Sequence, residues 1–446
     1  MARQMKDSGV EWIGEMPEAW EVINPKALFR LRKEKAALGQ RQLTSSQQYG
    51  IVYQDEYMKL TGAKVVTVEK DFEILKQVES GDFVISMRSF QGGIEYSPYS
   101  GSISSAYVML IPNKNCVYSP FYKWLLKSSE YIRALQSTSN MVRDGQAMRY
   151  SNFAQVRLIV LPMEEQRRIA NYLDSKCAEI DKVVEQTRAT IEEYKKLKQA
   201  IITEAVTKGL DSSVPMKDSG VEYLGCIPRG WSIISIGQAF VYVGGFAFKS
   251  ELFTITESNY QVLRIGNVKN NNLILDNKQI YIDESCAETA KVAEVRTDDI
   301  LFTMTGTKGK RDYFYTVRIE DGHIAEKRLF INQRVGLFRK KNKKIKMAFA
   351  NYLLKEKRIL DYIFLSETGT ANQGNLGIET IARTKLYLPP LEEQEEICLY
   401  LDAKCAEIDR IIEKKEQLIE ELGSYKKSLI YEYVTGKKEI EIHKYS

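Results

Sequence analysis

Histidine and paired cysteines are scarce in this chain. Its 446 residues include six cysteines and only two histidines, His323 and His443. No two cysteines stand at CxxC or another metal-ligand spacing, and the histidines do not complete such a set. We therefore expect free thiols and no bound metal.

Long apolar runs are also missing. No stretch approaches the roughly 20 apolar residues that a membrane span requires. The N-terminus, MARQMKDSG, lacks the apolar run of a secretory signal. These absences predict a cytoplasmic protein without a membrane partner.

The sequence lacks the usual catalytic signatures as well. Residues 306–310 and 369–375 do not fit the GxxxxGK[ST] loop that holds nucleotide phosphates. The segment Leu388-Pro389-Pro390-Leu391 superficially matches an amino-methyltransferase motif but lacks its polar and aromatic members. We find no Gly-rich methyl-donor loop and no nuclease-like cluster of carboxylates and lysine. The chain is therefore expected to be no enzyme and to hold no cofactor.

What the chain does contain is an internal repeat. MKDSGVEWIGEMPEAWEVI at residues 5–23 returns as MKDSGVEYLGCIPRGWSII at 216–234, and YLDSKCAEID at 172–181 returns as YLDAKCAEID at 400–409. Such self-similarity predicts two copies of one folded unit. The middles of the copies, at about 24–160 and 235–387, share almost no identity. One frame with two different inserts indicates one architecture that recognises two different targets.

Positive charge is concentrated in the inserts. Residues 21–160 hold 18 basic against 12 acidic side chains, and residues 231–388 hold 24 against 17. By contrast, residues 163–208 hold 9 against 9 and residues 391–436 hold 6 against 12. This distribution favours a polyanion on the inserts and protein contacts on the remainder. The alternative is the uneven charge of any protein surface.

Two long helices are predicted after Pro162 and Pro390, because proline is well tolerated at a helix start. Apolar residues then recur at spacings of 4 and 3, which is the pattern of a coiled-coil seam. The seam residues are Leu173, Ile180, Val184 and Ile191 in the first copy and Leu401, Ile408, Ile412 and Ile419 in the second. Lys198 and Lys426 occupy the same seam step and can define the register. A helix of about 45 residues spans roughly 65 Å, long enough to separate the inserts. The alternative is two unrelated helices, each buried on its own domain.

Polar loops with glycine follow the predicted strands 83–87 and 300–304, and a second polar loop ends each insert. Arg, Lys, Asn and Gln form specific pairs with base edges, and glycine allows the backbone to approach phosphates. Each loop also fits an ordinary turn, since Gly and Asn favour turns. The candidate DNA-binding residues are Arg88, Ser89, Gln91, Asn140, Arg143 and Gln146 in the first insert, and Lys249, Thr305, Thr307, Lys308, Lys310, Arg311, Asn372 and Gln373 in the second.

The expected fold class is α+β. Two mixed α/β domains stand in tandem, each followed by a long helix, and the two helices pair along their seams as a coiled coil. The predicted divisions are a first recognition domain at 1–160, a first helical region at 161–208, a linker at 209–215, a second recognition domain at 216–387, a second helical region at 388–436 and a tail at 437–446.

Several motifs resemble the specificity (S) subunit of type I restriction-modification systems. They are Gly14-Glu15-Met16-Pro17 with Trp20, Gly245-Phe246-Ala247-Phe248-Lys249-Ser250, Leu161-Pro162 with Glu164-Glu165-Gln166, and Leu388-Pro389-Pro390-Leu391-Glu392-Glu393-Gln394. Their doubled order, a variable insert followed by a coiled-coil helix, covers essentially the whole chain. The first insert lacks the Gly-Phe-Ala-Phe-Lys-Ser motif. We expect its residues 30–35 to have a similar function through different side chains.

This resemblance implies a non-catalytic subunit that recognises an asymmetric bipartite site in double-stranded DNA, one half with each domain. It also implies that the two long helices pack as an antiparallel coiled coil. It also implies partners. Two modification (methyltransferase) subunits bind S-adenosylmethionine and methylate adenine, and restriction subunits, which are ATP-dependent translocases and nucleases, cut DNA. The alternative is a coiled-coil scaffold whose basic domains bind RNA or acidic proteins. An orphan DNA methyltransferase is disfavoured because a methyl-donor motif is missing.

Overall fold

The computed structural model describes residues 3–68, 72–86, 92–138, 148–370 and 373–440. The chain forms two compact units. The first unit comprises residues 1–189 and 415–446, and the second comprises residues 190–414. Both boundaries lie inside long helices, so each unit contains one insert and a part of both helices. The predicted domain divisions separate inserts from helices, whereas these units join each insert to the helical segments that pack on it.

The first unit carries twelve strands and five short α-helices among its described residues before the first long helix. The strands are β1 Met5–Asp7, β2 Glu15–Pro17, β3 Glu21–Ile23, β4 Phe29–Leu31, β5 Leu43–Ser46, β6 Gly50–Tyr53, β7 Lys76–Val78, β8 Phe83–Ile85, β9 Glu95–Tyr96, β10 Gly101–Ile103, β11 Val108–Pro112 and β12 Leu158–Val160. The helices are α1 Pro25–Leu28, α2 Gln54–Thr61, α3 Ser119–Leu125, α4 Ser129–Ser137 and α5 Tyr150–Phe153. The first long helix, α6, follows at Met163–Lys208.

The second unit repeats this plan with additional strands. The strands are β13 Met216–Asp218, β14 Cys226–Pro228, β15 Ser232–Ser235, β16 Phe240–Gly244, β17 Tyr260–Leu263, β18 Val268–Lys269, β19 Asn272–Leu273, β20 Ile300–Thr303, β21 Thr305–Gly306, β22 Thr316–Arg318, β23 Arg328–Ile331, β24 Val335–Lys340, β25 Thr368–Thr370, β26 Gln373–Asn375 and β27 Lys385–Leu388. The helices are α7 Ile236–Ala239, α8 Glu284–Thr289, α9 Met347–Leu353, α10 Lys357–Phe364 and α11 Ile378–Arg383. The second long helix, α12, is Leu391–Val434.

A four-stranded sheet lies in each insert. Its order is β4-β11-β8-β9 in the first unit and β16-β24-β20-β22 in the second, and all pairings are antiparallel. The strands predicted at 83–87 and 300–304 are members of these sheets. Their apolar side chains are buried, as with Phe83 and Phe302, so these strands belong to the core that supports the loops after them.

The acidic turn before each of these strands has a structural role. Asp82 accepts two hydrogen bonds from the Arg32 guanidinium, at 2.6 and 3.0 Å. Asp299 accepts two from Arg339, at 2.9 and 2.6 Å. The ion pair with Asp82 raises the pKa of Arg32. Two different arginines thus neutralise equivalent buried carboxylates, so Arg32 has a structural partner in the first unit. The DNA-contacting role expected of the stretch 30–35 stays a prediction.

A buried glutamine joins each insert to its long helix. Gln166 accepts a hydrogen bond from Tyr118 N at 2.8 Å and donates to the carbonyls of Cys116 at 2.9 Å and Leu161 at 2.8 Å. In the second unit, Gln394 makes the same three bonds, all of 2.8 Å, with the chain at 344, 346 and 389. Both side chains are fully buried. These buried hydrogen bonds explain why glutamine is the last residue of the EEQ sequence in both copies.

The glutamate before each glutamine accepts a hydrogen bond from a buried tryptophan. The indole N–H of Trp20 donates to Glu165 at 2.9 Å, and that of Trp231 donates to Glu393 at 2.9 Å. A buried indole needs such an acceptor. The opening motif of each copy is therefore bonded to the start of the helix that closes it.

The long helices pack antiparallel within each unit. In the first unit, the ring centroids of Tyr172 on α6 and Tyr433 on α12 lie 4.5 Å apart. Asp181, nine residues after Tyr172, forms an ion pair with Lys426, seven residues before Tyr433, so the two helices run in opposite directions. In the second unit, residues 202, 205 and 206 share a core with 401 and 405. The expected coiled-coil packing is confirmed.

Candidate nucleic-acid interface

Two segments predicted from the sequence to contact DNA lie side by side in the second unit. Strand β21 pairs with β26, in the register Thr305 with Asn375 and Gly306 with Gly374, and β26 pairs in turn with β25. The expectation of a loop at 369–375 is therefore wrong for residues 369–370 and 373–375, which belong to the paired strands β25 and β26. Pairing of β21 with β26 brings together residues about 70 positions apart in sequence.

Glu367, which directly precedes β25, forms hydrogen bonds with the loop after β21. Its carboxylate accepts hydrogen bonds from Gly309 N, at 3.2 and 3.0 Å, and from the Tyr313 hydroxyl at 2.8 Å. Lys308 donates from Nζ to the Gly369 carbonyl at 2.9 Å. Burial, followed by the contact with Glu367, raises the pKa of Tyr313. The loop thus has a defined conformation before any ligand binds.

Close packing accounts for the paired glycines of this small sheet. A Cβ at Gly374 would lie 2.6 Å from a Glu367 oxygen, and a Cβ at Gly306 would lie 2.6 Å from the Tyr313 ring. Gly369 has φ +112°, which L side chains rarely adopt. The structure therefore requires glycine at these positions whether or not phosphates approach them.

The basic side chains of this loop differ in their surroundings. Arg311 forms an ion pair with Asp361 and lies 5.5 Å above the Phe364 ring. Lys357 and Arg311 together lower the pKa of Asp361. Lys308 and Lys310 are exposed. Lys310 has no ion-pair partner within the described parts of the chain, so it is the basic side chain of this loop most available to an anion.

The remaining candidate residues of the second insert lie on β21, on the loop after it, on β26 or on the separate segment 245–250. Gln373 is exposed on β26, whereas Thr305 and Thr307 are half-buried. Lys249 is exposed at the end of the Gly-Phe-Ala-Phe-Lys-Ser segment, whose rings Phe246 and Phe248 pack edge-to-face at 4.9 Å. The aromatic residues of this motif anchor the segment and its lysine faces solvent.

All six candidates of the first insert fall outside the described residues. They are Arg88, Ser89, Gln91, Asn140, Arg143 and Gln146, and Asn372 of the second insert also falls outside. The chain that flanks them is well anchored. Ile94 donates its N–H to the Leu126 carbonyl at 3.3 Å, and Asn152 donates to Thr138 at 3.1 and 3.2 Å.

The predicted helix-seam residues are largely buried. Leu173, Ile180, Ile191, Leu401 and Ile408 are buried, and Val184, Ile412 and Ile419 are half-buried.

The seam lysines have partners that the sequence interpretation missed. Lys198 binds Asp409 at 2.6 Å and Lys426 binds Asp181 at 2.6 Å. Both aspartates close the repeated AEID motif, so the repeat itself was the signal that could have identified them.

The described residues offer neither a metal site nor a membrane span. No group of three or more His, Cys, Asp or Glu side chains in the described part of the chain is suited to a metal ion. Among the same residues, no helix is both long and apolar enough to cross a bilayer.

Comparison with known proteins gives the family. The model of the type I restriction modification DNA specificity domain matches residues 17–193 and 228–421. The chain belongs to this family. It is 23% identical over 436 residues to the type I restriction enzyme MjaVIII specificity subunit of Methanocaldococcus jannaschii, with 95% of this chain and 93% of that protein covered.

Two solved structures share the fold of this specificity-family chain. One comes from work on complex assembly and conformational transition of the type I R-M system, with a TM-score of 0.70, 14% identity and coverage of 95% of this chain and 99% of that one. The other is the HsdS subunit from Thermoanaerobacter tengcongensis, with a TM-score of 0.51, 14% identity and coverage of 95% and 98%. The predicted resemblance is confirmed at the level of the family and the fold.

Proposed function

We propose that this chain is the non-catalytic DNA-recognition subunit of a cytoplasmic type I restriction-modification complex. Residues 1–160 and 216–387 each recognise one half of an asymmetric bipartite site in double-stranded DNA. The observation that carries the proposal is the repeated frame, in which the same tryptophan, glutamate and glutamine contacts hold two inserts of unrelated sequence. Unrelated inserts predict unrelated half-sites.

The partners are two modification subunits and the restriction subunits of the complex. The modification subunits bind the methyl donor and methylate adenine, which has to be flipped out of the duplex to be reached. This chain supplies the register of the DNA and contributes no reacting group. The long helices set the distance between the two half-sites and carry neutral to acidic surfaces suited to protein contacts.

The interface of the second insert is the surface of Lys308, Lys310 and Gln373. Lysines that neutralise phosphates give affinity, and a glutamine amide can pair with adenine in the major groove. Glu367 supports this surface, because its hydrogen bonds hold the loop in one conformation before DNA binds. A pre-ordered loop loses less conformational entropy on binding.

Mapping of methylated adenine tests the whole proposal. The chain is co-expressed with a modification subunit, and host DNA is sequenced by a long-read method that detects the methyl group. We expect one motif of two short specified blocks around a fixed unspecified gap. Exchange of residues 235–387 for the insert of a relative should change one block alone. A stable complex without methylation, or an exchange that alters both blocks, would contradict the proposal and favour an RNA-binding scaffold.

Charge removal tests the interface. Lys308→Ala with Lys310→Ala should weaken binding of the cognate duplex and reduce the slope of affinity against salt by about 2, because each phosphate contact contributes about 0.9. The control is Lys291→Ala, which removes an exposed charge from another element of the same unit. An unchanged slope in the double variant would remove this loop from the interface.

A further inference from the structure

An aspartate on each long helix occupies the same position of the repeat but has different partners in the two units. Asp174 on α6 accepts a hydrogen bond from the Trp124 indole N–H at 2.7 Å and forms an ion pair with Lys123 Nζ at 2.7 Å. Asp402 on α12 accepts the corresponding hydrogen bond from the Tyr352 hydroxyl at 2.6 Å. No described residue forms an ion pair with Asp402. The second unit therefore lacks the ammonium that the first unit supplies from its own chain.

Asparagine replaces the ammonium-bearing residue in the second unit. Helices α3 and α9 both have seven residues. Trp124 and Tyr352 both lie 50 residues before the aspartate that accepts their hydrogen bond. The residue before Trp124 is Lys123, and the residue before Tyr352 is Asn351. The first unit thus shows how this position is arranged when an ammonium is present.

The side-chain oxygen of Asn351 is buried without a hydrogen-bond partner. A buried acceptor in this condition costs free energy, and such groups are rare in folded proteins. The lysine of the first unit brings three N–H donors to the equivalent position. Asn351 Oδ1 and the Asp402 carboxylate are therefore two oxygen acceptors from which a donor is missing.

These two acceptors line one cavity of about 320 Å³, which lies wholly within the second unit. Asn351, Tyr352 and Asp402 contribute to its lining, together with residues of β19 and β22. We call it the Asp402 cavity. Its volume falls in the range of small-molecule sites. None of its lining residues is a candidate DNA-binding residue.

The charge in and beside the Asp402 cavity is negative. Arg318 already forms ion pairs with Asp298 at 2.8 Å and with Glu320 at 2.9 Å. It forms none with Asp402, so three carboxylates stand against one guanidinium. His323 Nδ1 accepts a hydrogen bond from the Glu320 N–H at 3.0 Å, and an imidazole that accepts a hydrogen bond is neutral. The cavity therefore favours a cation.

The lining suits an ammonium better than a metal ion. An ammonium donates three hydrogen bonds, and the cavity offers it one charged and one neutral acceptor. In the part of the chain that the structure describes, no group of three or more His, Cys, Asp or Glu side chains is suited to a metal. Lys123 Nζ also lies 5.1 Å from the Trp124 ring centroid. Tyr352 is the aromatic residue at the corresponding position, and tyrosine rings likewise attract cations.

We propose that the Asp402 cavity binds a small primary aliphatic amine, whose ammonium takes the place that Lys123 Nζ occupies in the first unit. The ammonium donates hydrogen bonds to Asp402 and to Asn351 Oδ1 and lies against the Tyr352 ring. The aliphatic part of the ligand fills the rest of the cavity. This site does not depend on the proposed function.

The test titrates the full-length chain with n-butylammonium chloride, in which the cation has the length of a lysine side chain. Binding is measured by calorimetry and by thermal unfolding, with sodium chloride adjusted to keep the ionic strength constant. Asn351→Lys supplies the ammonium from the chain itself, as in the first unit. Asp402→Asn removes the charge and keeps an acceptor for the Tyr352 hydroxyl. Gln333→Lys is the control, because it adds the same charge at an exposed residue that does not line the cavity.

We expect the wild type and Gln333→Lys to bind one equivalent of n-butylammonium. Asp402→Asn should bind it about tenfold more weakly or worse, because a hydrogen bond to a charged acceptor is lost. Asn351→Lys should show no saturable binding, and its unfolding temperature without amine should be no lower than that of the wild type. Added n-butylammonium should raise the unfolding temperature of the wild type and leave that of Asn351→Lys unchanged.

Tetramethylammonium chloride separates a specific site from general attraction of cations. It carries the same charge but has no N–H donor, so it should neither bind nor stabilise the wild type. Equal effects of the two cations would overturn the proposal. Absence of saturable n-butylammonium binding to the wild type would also overturn it, as would binding that stays unchanged in Asp402→Asn and Asn351→Lys.

Discussion

The buried glutamine at the start of each long helix offers a direct test of how the frame is held together. Replacing Gln166 by alanine leaves the Tyr118 N–H and the carbonyls of Cys116 and Leu161 without the partners that they have at 2.8 to 2.9 Å. Each unsatisfied buried group costs about 1–3 kcal/mol. Because a carbonyl has a second lone pair and is the cheaper group to leave unpaired, we expect a total near 3–5 kcal/mol.

Such a loss is a large part of the free energy of unfolding of an ordinary domain, which is about 5–15 kcal/mol. With a urea dependence of about 2 kcal/mol per molar, the midpoint of unfolding should fall by about 1.5–2.5 M. Hydrogen exchange, followed by mass spectrometry of peptides, assigns the effect to a unit. Gln166→Ala should accelerate exchange in the first unit, and Gln394→Ala should accelerate it in the second.

A Gln166→Glu variant serves as the matched control for size. Its carboxylate would face the two carbonyls that now accept hydrogen bonds from Gln166 Nε2. The variant should be destabilised at pH 8 and less so at pH 5, because a protonated carboxyl recovers one donor. A loss below about 1 kcal/mol for Gln166→Ala, or no pH dependence for Gln166→Glu, would refute the assignment of these hydrogen bonds as the main connection.

Three further predictions concern the helices and the second unit. Ile180→Asp should cost several kcal/mol in urea unfolding because it buries an unpaired charge, whereas Val183→Asp, at a position 43% exposed on the same helix, should cost little; equal losses would count against the packing. Lys198→Glu and Asp409→Lys should each lose about 1 kcal/mol and recover most of it when combined in a double-mutant cycle, and additive losses would show that the pair is not coupled. Burial, followed by the charge of Lys198, lowers the pKa of Lys355 to about 8, and the described residues place no carboxylate within ion-pair distance of it. Because the folded state then binds this proton less tightly than the unfolded chain, stability should rise between about pH 8 and pH 10.5, and Lys355→Met should stabilise the second unit by about 2 kcal/mol at pH 7 and by little above pH 10.5; a gain independent of pH would contradict this reasoning.

The frame of the fold could be predicted from the sequence because its signals are local or periodic. Proline at the helix entry and apolar residues at heptad spacing depend on neighbours within a few turns, and they placed the starts of α6 and α12 correctly to within a residue. The repeat supplied the architecture, since a folded unit that occurs once must recur with its motifs. Only part of the candidate interface was predictable in this way.

Within the interface, residue types were visible and their partners were not. The glycines and lysines of 305–311 and 369–375 were recognised as one kind of surface, but nothing local shows that β21 pairs with β26. The role of Glu367 escaped notice because its bonds reach residues 54 to 58 positions away. The partner of Arg32 was not predicted for the same reason, since Asp82 lies 50 residues further along the chain.

The sequence by itself determined that the chain holds two copies of one frame, that the inserts differ, and that a long helix follows each insert. Tertiary structure decided which residues serve the frame and which remain for partners. Burial and hydrogen bonding commit Gln166, Trp20 and Asp82 to the fold, whereas Lys308 and Lys310 stay exposed. The physical reason is that a side chain is committed by the atoms around it in space, and most of those atoms belong to residues far away in sequence.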